Sequence, residues 1–571
     1  MKGSKAKRRL RIGATLGACA LAVAGCGGGG GGGGVDPAVL AAMAAAAGAQ
    51  PPAPPAPPPP APPPAVRAKC AMDSTVAASY EEQRLPNKLS ASDALSFSQQ
   101  LLQASGFDRF GPEFAAKLCS DGLAGASSYD EAVALLHAEG QKLWQAALDR
   151  VQGRSVQGTL PKSDDRMLYW ARLTMTLALR QWKPEFALTD EQRAGLQKEF
   201  ERASRGQLSI DFPEGAGSKR ILVSGFDPFT LGAAGQDGDP SIRIGNPSGA
   251  TILSLDGNTV ALPGGGTAVI RTFILPVNYG PFIDGMQEDA LGPWFKPGPK
   301  RVDASISMSQ GGGAFHLEHY NGRYHFANFP GNDNLNPPCA DGGGFPAALD
   351  CDISPPERWL GFAAKPWRRD APPQFTQASL PFQQMIDAKT GEGVVNRETG
   401  ATGGWSVVRR DSYDVRACTK AASDASGAYD AAKAALDKAR AVADKALADY
   451  FAGLQMPGTD LKALLQEYQA ANEAFNKLTP PSPLETNCAD NGGGGNYLSN
   501  ASAYRNTLMR DTFGLAIPAG HIHTPVMTNF GAGSDGKITD ATFEGYRDSI
   551  VAQARNLVFA VARSLVSPPA P

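Results

Sequence analysis

The feature that most constrains the fold is a buried-strand pattern that runs into a glycine turn. Residues 220–225 read Arg-Ile-Leu-Val-Ser-Gly and are followed by Phe-Asp-Pro-Phe. Residues 268–275 are also apolar, and residues 304–308 form a strand-like stretch that precedes a Gln-Gly-Gly turn. Apolar runs of this length are typical of strands that are buried on both faces of a sheet. The sequence therefore predicts several buried strands, each of which ends at a turn.

Length and charge limit the organisation and the partners. With 571 residues the chain is long enough for two or three domains, and its net charge is −2. No basic cluster lies beyond the first eleven residues. The charge therefore gives no reason to expect a nucleic acid or an anionic lipid surface as a partner.

Six short motifs follow one another in an order that resembles the pyroglutamyl peptidase I (pyrrolidone-carboxylate peptidase) family. They are Gly225-Phe226-Asp227-Pro228-Phe229, Asn246-Pro247-Ser248, Pro276-Val277, Gln310-Gly311-Gly312, Tyr497-Leu498-Ser499-Asn500 and His521-Ile522-His523-Thr524-Pro525. The resemblance implies an α/β fold, a three-layer α/β/α hydrolase-like domain formed by residues 219–335 and 488–565. It also implies removal of an N-terminal pyroglutamate.

The resemblance assigns a catalytic triad. The family uses a Cys–His–Glu triad, and by match Ser499 takes the position of the cysteine, His523 that of the histidine and Glu318 that of the glutamate. A serine hydroxyl must lose its proton as it attacks, and a histidine oriented by a carboxylate can accept that proton. His521 shares a strand face with His523, but the match selects His523 as the base.

The substrate pocket is also implied by the resemblance. Phe226 and Phe229 match the apolar pocket that receives the pyroglutamate ring, and the amide of Gln310 could bond the lactam. The family has an arginine downstream of the glutamate, whereas the corresponding residues 327–332 contain none. A related interpretation is therefore an amidase or esterase that acts on another small acyl group.

Two alternatives remain open. A gapped register aligns Tyr504-Arg505-Asn506 with the nucleophile motif, which puts Asn506 in the cysteine's place and leaves no nucleophile. The protein would then be an inactive relative, an envelope lipoprotein that binds peptides or a protein partner. Separately, His316, His319 and His325 lie close to Glu318 and suggest a metal site. A strand places residues 316 and 318 on one face and 319 on the other, so we expect no metal and no cofactor.

The N-terminus predicts export. Residues 1–25 combine a basic start with an apolar stretch that is too short to span a membrane, as in a signal peptide. Val23-Ala24-Gly25-Cys26 resembles the lipobox of bacterial lipoproteins, so Cys26 is the expected lipidation site. Residues 26–69 are rich in Gly, Ala and Pro and suit a tether. We therefore expect a lipid-anchored protein in the cell envelope that faces the periplasm or the exterior.

Six cysteines remain after the signal peptide and the anchor, which in an exported protein predicts three disulfides. Pairing of neighbours is the simplest of the 15 connectivities: Cys70 with Cys119, Cys339 with Cys351, and Cys418 with Cys488.

Two segments lie outside the resemblance. Residues 70–210 carry helical periodicity and belong to no family that the sequence reveals. Residues 336–487 are an expected insertion, irregular to about residue 409 and then a helical hairpin, about residues 413–478. The hairpin could bind a protein partner or could simply pack on the N-terminal helices.

Overall fold

The computed structural model describes residues 69–565, apart from residues 121–122, 156, 214–217, 324–328, 337–372, 417–426, 452–457, 459, 479–481, 484–487 and 496. All described residues belong to one compact unit. The expected signal peptide and tether lie outside the described residues, and so do Cys26, His325, Cys339, Cys351 and Cys418.

The N-terminal part is built from helices whose starts are encoded by polar caps. Ser96 and Thr189 each form a capping box with a glutamine three residues later, which satisfies amides that a helix end leaves free. The helices are α1 (Phe97–Ser105), α2 (Phe110–Leu118), α3 (Tyr129–Val151), α4 (Arg166–Gln181) and α5 (Asp190–Ser204). Short strands β1 (Ala71–Met72), β2 (Cys119–Ser120), β3 (Leu123–Ala124) and β4 (Trp182–Lys183) form two antiparallel pairs, β1 with β4 and β2 with β3.

The disulfide between Cys70 and Cys119 confirms one predicted pairing, with 5.8 Å between the two Cα atoms. It ties the start of the described chain to the end of α2. The other two predicted pairs each include a cysteine outside the described residues.

The remaining strands are β5 (Ser218–Phe226), β6 (Thr259–Ala261), β7 (Thr267–Leu275), β8 (Ala304–Gln310), β9 (Phe315–Glu318), β10 (Tyr320–Gly322), β11 (Phe375–Gln377), β12 (Val407–Arg410), β13 (Asp414–Arg416), β14 (Cys488–Asn491) and β15 (Ala519–Thr524). Seven of them form the central sheet in the order β12-β9-β15-β8-β5-β7-β6. Strands β7, β5, β8 and β15 are mutually parallel, whereas β9 is antiparallel to β15 and β6 is antiparallel to β7. The predicted α/β class is therefore confirmed, and the structure is a mixed α/β fold with a mostly parallel central sheet.

The remaining helices are α6 (Pro247–Leu255), α7 (Tyr279–Ile283), α8 (Met286–Phe295), α9 (Phe382–Asp387), α10 (Gly427–Phe451), α11 (Leu461–Leu478), α12 (Leu498–Thr512) and α13 (Ala541–Ser564). Alternate residues of β5 contact different helices, because successive side chains of a strand point to opposite faces. Ile221 and Val223 share a hydrophobic cluster with residues of α6 and α13. Leu222 belongs to a second cluster with residues of α8 and α12.

The N-terminal helices contribute to the first of these clusters. Phe97, Leu101 and Trp170 are buried in the same cluster as Ile221 and Val223 of the central sheet. At about 25 cal/mol for each Å² of apolar surface removed from water, such side chains each stabilise the fold by about 1.5–3 kcal/mol. The helical part and the sheet therefore share one core.

One stretch that the sequence predicts to be irregular is in fact ordered into the central sheet. Val407–Arg410 forms β12, which pairs in parallel with β9 at the edge of the sheet. The prediction was wrong because a four-residue edge strand has little apolar periodicity of its own and depends on pairing with a distant partner. Further along, α10 and α11 contact each other in the segment where the sequence predicts a hairpin.

In the described part of the chain, no helix combines the length and the apolar character needed to cross a membrane.

Candidate active site

Two neighbouring strands bring a histidine and a glutamate together on one face of the sheet. Strands β9 and β15 pair so that His316 lies opposite His523 and Glu318 lies opposite His521. Glu318 and His523 are therefore diagonal neighbours, close enough for side-chain contact. The Nδ1 atom of His523 lies 2.9 Å from Oε1 of Glu318, and both residues are buried. A carboxylate in this position accepts a hydrogen bond from Nδ1–H and so leaves Nε2 as the unprotonated acceptor.

The neighbouring histidine is held in a different way. His521 is completely buried, and its Nδ1 and Nε2 atoms lie 2.7 Å from the hydroxyls of Ser307 and Ser309 on β8. Burial, and then the nearby His523, hold the pKa of His521 well below its usual value. Both nitrogens of His521 are therefore occupied, whereas the buried Nε2 of His523 has no hydrogen-bond partner. This difference makes His523 the available base.

The glycine-rich turns allow this close approach. A Cβ atom at Gly311 would lie 2.7 Å from Cγ of His523, and one at Gly493 would lie 2.0 Å from Oε2 of Glu318. Both distances are shorter than van der Waals contact, so any larger residue would displace the pair. The glycine runs at residues 311–313 and 492–495 thus leave the space that the histidine and the glutamate occupy.

Ser499 lies in the first turn of α12, whose first residue is Leu498. The side chain of Asn500 fixes this turn, because it accepts a hydrogen bond from the Gly322 amide and donates one to the Gly322 carbonyl, both at 2.8 Å. Tyr497, the residue before the helix, makes no side-chain cap, and the amides of a helix's first turn point towards its N-terminus, here near the serine. Such amides favour negative charge.

Ser499 and His523 line the same cavity of about 420 Å³. The predicted substrate residues Phe226, Phe229 and Gln310 line it as well. Asn506, the residue of the alternative register, is buried elsewhere and bonds Ser305 and the Gly520 carbonyl. The structure therefore brings five of the predicted site residues to one cavity, with Glu318 behind His523.

Aromatic rings form the wall of the cavity. The ring of Phe229 lies 5.9 Å from that of Tyr497 and 6.3 Å from that of Phe329, between ring centroids. The Tyr497 hydroxyl donates to the Pro330 carbonyl at 3.0 Å. Sequence reasoning gave no role to Phe329 or Tyr497, although Tyr497 stands in the nucleophile motif and could have been found there.

The cavity is nearly free of charge. Among the described residues that line it, the only ionisable side chains are Tyr497 and His523. Burial raises the pKa of Tyr497 well above its usual value, so this phenol stays neutral. The Oε1 atom of Gln310 is buried and has no hydrogen-bond partner, so it can accept one from a ligand. The cavity is thus suited to a small, neutral, mostly apolar group with a hydrogen-bond donor.

The N-terminal helices hold the first loop of the cavity through buried charges. Asp227, next to Phe226, lies 2.7 Å from a guanidinium nitrogen of Arg172 and 2.9 Å from one of Arg205. Arg172 belongs to α4, and Arg205 follows α5. Burial lowers the pKa of Arg205 to about 10, and it remains a cation at neutral pH. Arg172 and Arg205, which lie outside the six motifs, thus position Asp227, which belongs to the first of them.

A second contact from the N-terminal part holds two more loops. Arg84 donates to the carbonyls of Gly232 at 2.9 Å and Asn332 at 2.6 Å. Asn332 in turn donates to the Pro228 carbonyl at 2.8 Å. The loops that carry Phe229 and Phe329 are therefore linked through one arginine. Sequence periodicity had suggested only helices in this part.

The histidines near Glu318 separate into two groups. His319 points to Asp411, with 2.7 Å between Nδ1 and the carboxylate, on the other face of the strand. His316 instead joins Glu318 and His523, and one potential ligand atom from each of the three lies within 4.8 Å of the others. Burial lowers the pKa of His316. The sequence predicted the separation of residue 316 from residue 319, and the resemblance paired His523 with Glu318, but nothing in the sequence placed His316 beside that pair.

The fold and the site define a mixed α/β protein with a buried His–Glu pair and a serine at a common apolar cavity. Its fold is similar to that of the pyrrolidone carboxyl peptidase of Pyrococcus furiosus, at 14% identity over 60% of this chain and 99% of that one, with a TM-score of 0.29. It is also similar to pyroglutamyl peptidase I of Bacillus amyloliquefaciens, at 15% identity over 60% and 96% of the two chains, with a TM-score of 0.27. A likeness this distant does not extend to activity.

Sequence comparison gives a much closer relationship. The family model "PA0049, C-terminal domain" matches residues 220–453 and 430–528, and "PA0049 N-terminal domain" matches residues 61–201. The chain is 42% identical to "Uncharacterized protein PA0049" of Pseudomonas aeruginosa PAO1 over 548 residues, which cover 87% of this chain and 91% of that protein. The chain belongs to the PA0049 family.

Proposed function

We propose that this protein is a serine hydrolase that removes N-terminal pyroglutamate, or a similar small acyl group, from a peptide or acyl-amide. The observation that carries the proposal is His523, whose Nδ1 is bonded to Glu318 while its buried Nε2 is free beside the cavity that Ser499 lines. A base with one nitrogen oriented by a carboxylate and the other free is the arrangement that activates a hydroxyl nucleophile.

In the proposed mechanism, His523 accepts the proton of Ser499 as the hydroxyl attacks the acyl carbonyl. Glu318 orients the ring and stabilises the imidazolium that forms. First-turn amides of α12 stabilise the oxyanion. The histidine then gives its proton to the leaving amine, and water releases the acyl group from the serine. The strand and helix contacts described above support a three-layer α/β/α hydrolase-like arrangement around this site.

The cavity supports a neutral acyl group as substrate. Phe226, Phe229 and Phe329 surround a ring-sized space, and Gln310 offers an unpaired oxygen to a lactam N–H. The absence of charge among the described lining residues agrees with the absence of an arginine in residues 327–332. On sequence grounds we further propose that lipidation of Cys26 anchors the enzyme in the cell envelope, and that a protein partner, if there is one, binds at the α10–α11 pair.

The test is release of a fluorophore from pyroglutamyl-coumarin by the protein without its tether. We expect the wild-type protein to turn over this substrate and Ser499→Ala to lose at least about 10³-fold in kcat/KM, because the nucleophile is gone. Ser412→Ala, an exposed serine outside the cavity, serves as the matched control and should match the wild type.

An acyl-phosphonate probe distinguishes a changed substrate from an inactive site, because only an activated serine reacts with it. Labelling that disappears in Ser499→Ala would support a hydrolase of another acyl group, even without turnover of the coumarin. A folded wild-type protein that neither turns over nor reacts would refute the hydrolase and favour the peptide-binding lipoprotein.

A further inference from the structure

The proposed triad leaves two polar atoms at the site unexplained. The triad uses Oε1 of Glu318 and both nitrogens of His523. Oε2 of Glu318 and Nδ1 of His316 are also buried, and neither has a hydrogen-bond partner. A buried polar atom without a partner destabilises the folded protein. Atoms of this kind, gathered in one place, indicate a ligand that satisfies them.

We propose that His316, Glu318 and His523 together bind a divalent transition metal ion of the zinc class. One potential ligand atom from each residue lies within 4.8 Å of the others. The three side chains stand on one face of two paired strands, with His316 directly opposite His523. Strands hold side chains more rigidly than loops do, which suits a metal site.

The ligand chemistry fits zinc. Two imidazoles and one carboxylate are a known set for zinc and leave a fourth position open. Tetrahedral bonds of about 2.0–2.2 Å place ligand atoms about 3.4 Å apart. That spacing lies between the 2.9 Å that separates Nδ1 of His523 from Oε1 of Glu318 and the 4.8 Å within which the three ligand atoms lie, so small side-chain shifts place all three around one ion.

The ion would take the place of the proton that Nδ1 of His523 now shares with Oε1 of Glu318, at 2.9 Å. The displaced proton then resides on Nε2, since a neutral imidazole carries one proton on one of its nitrogens. An Nε2 that carries a proton cannot accept another from Ser499. The metal-bound form is therefore inactive as a serine hydrolase, a consequence that rests on the proposed function, whereas binding itself does not.

The experiment titrates the metal-free protein with Zn²⁺ by calorimetry and with Co²⁺ by visible absorption. The wild type should bind one ion, and Co²⁺ should give the intense visible bands of a four- or five-coordinate site. Loss of a group that only hydrogen-bonds a metal ligand weakens metal binding by about 10–100-fold. Because His316 is itself a ligand in this proposal, His316→Gln should weaken binding by more than that. His319→Gln is the matched control, because that histidine points to Asp411 on the other face, and it should bind as the wild type does.

Ser499→Ala separates this proposal from the proposed function. This variant should bind the ion like the wild type, because the serine is not a ligand, whether or not the protein is a hydrolase. Failure of the folded wild type to bind Zn²⁺ would overturn the proposal, and so would equal binding by His316→Gln and the wild type. Circular dichroism of each variant excludes unfolding as the cause of lost binding.

Discussion

At the scale of single residues, the adjacent Asp164 and Asp165 show how the surroundings set a charge. Both are buried at the start of α4. Burial opposes ionisation of Asp164, but Arg166 at 2.7 Å and Arg547 at 3.2 Å outweigh it and hold its pKa well below the usual range. Burial, and then the charge of Asp164, raise the pKa of Asp165 to about 7. One carboxyl is thus ionised and its neighbour is largely neutral below pH 7.

Asp165→Asn should remove part of the pH dependence of stability. The folded protein keeps Asp165 protonated up to about pH 7, whereas the unfolded chain ionises it near pH 4. The stabilisation is therefore fully present below about pH 4 and is lost as the pH rises towards 7. We expect Asp165→Asn to gain a few kcal/mol of stability relative to the wild type between pH 4 and pH 7. The pKa of Asp165 differs by about 3 between the folded and the unfolded chain, and a pKa difference of 1 corresponds to about 1.36 kcal/mol. Urea unfolding at several pH values measures it, and a constant difference would contradict the shift.

The residues of the site differ in how far the sequence could predict them. Ser499, His523 and Glu318 follow from the order of short motifs, and the structure places them at or behind one cavity. The serines that occupy His521 could not be predicted, because they stand on β8, more than 200 residues away along the chain. That pairing depends on the register between β8 and β15, which no local pattern specifies.

At the scale of elements, the turns carry as much of the site as the strands do. The turn after β14 brings the Gly493 backbone against Glu318. The Gly493 amide donates a hydrogen bond to the Tyr320 carbonyl at 2.6 Å. The same turn leads into α12 and Ser499. The position of the nucleophile relative to the histidine and glutamate therefore depends on a turn without side chains.

Gly493→Ala should lower activity more than it lowers stability. Its methyl group would meet Oε2 of Glu318 at 2.0 Å, so either the carboxylate or the turn must move. A displacement of about 1 Å at reacting groups costs about 100-fold in rate, whereas overpacking costs about 1–3 kcal/mol in stability. Gly403→Ala is the control, because nothing lies within 4 Å of its Cβ position. Single-turnover acylation of both variants compares them, and an unimpaired Gly493→Ala would show that this contact is not needed.

The elements that the sequence predicted well have strong local patterns. The buried runs became β5, β7 and β8, and the serine motif lies at the head of α12. The prediction failed for β12, where Val408 is exposed and only pairing with β9 defines the strand. It also could not foresee that β9 runs antiparallel beside β15, since the partner of a strand is set by the whole sheet.

At the scale of the whole molecule, the N-terminal helices act as a support for the cavity. Arg172, Arg205 and Arg84 reach from this part to loops that carry Asp227, Gly232 and Asn332. The shared hydrophobic cluster joins the same two parts. Stability and the shape of the cavity are therefore coupled across the described chain.

Arg205→Met should destabilise the whole described unit. Removal of one partner from a buried ion pair costs about 3–5 kcal/mol, because Asp227 is left with less compensation. Arg440→Met is the control, since Arg440 and Asp444 form an exposed pair on α10 that should contribute no more than about 0.5 kcal/mol. Calorimetry should show a single transition at lower temperature for Arg205→Met. Two separate transitions would show that the helical part unfolds on its own.

The strand order has a consequence for how the chain reaches its native state. Strand β15, the last strand along the described chain, lies in the middle of the sheet between β8 and β9. Until residue 524 has been made, β8 and β9 have no partner at that position, and both keep an open edge that can pair with other chains. Contacts of such long sequence separation form slowly. The two parts of the sheet can therefore join only after β15 has been made, and before that point the chain should be most prone to pairing with other chains.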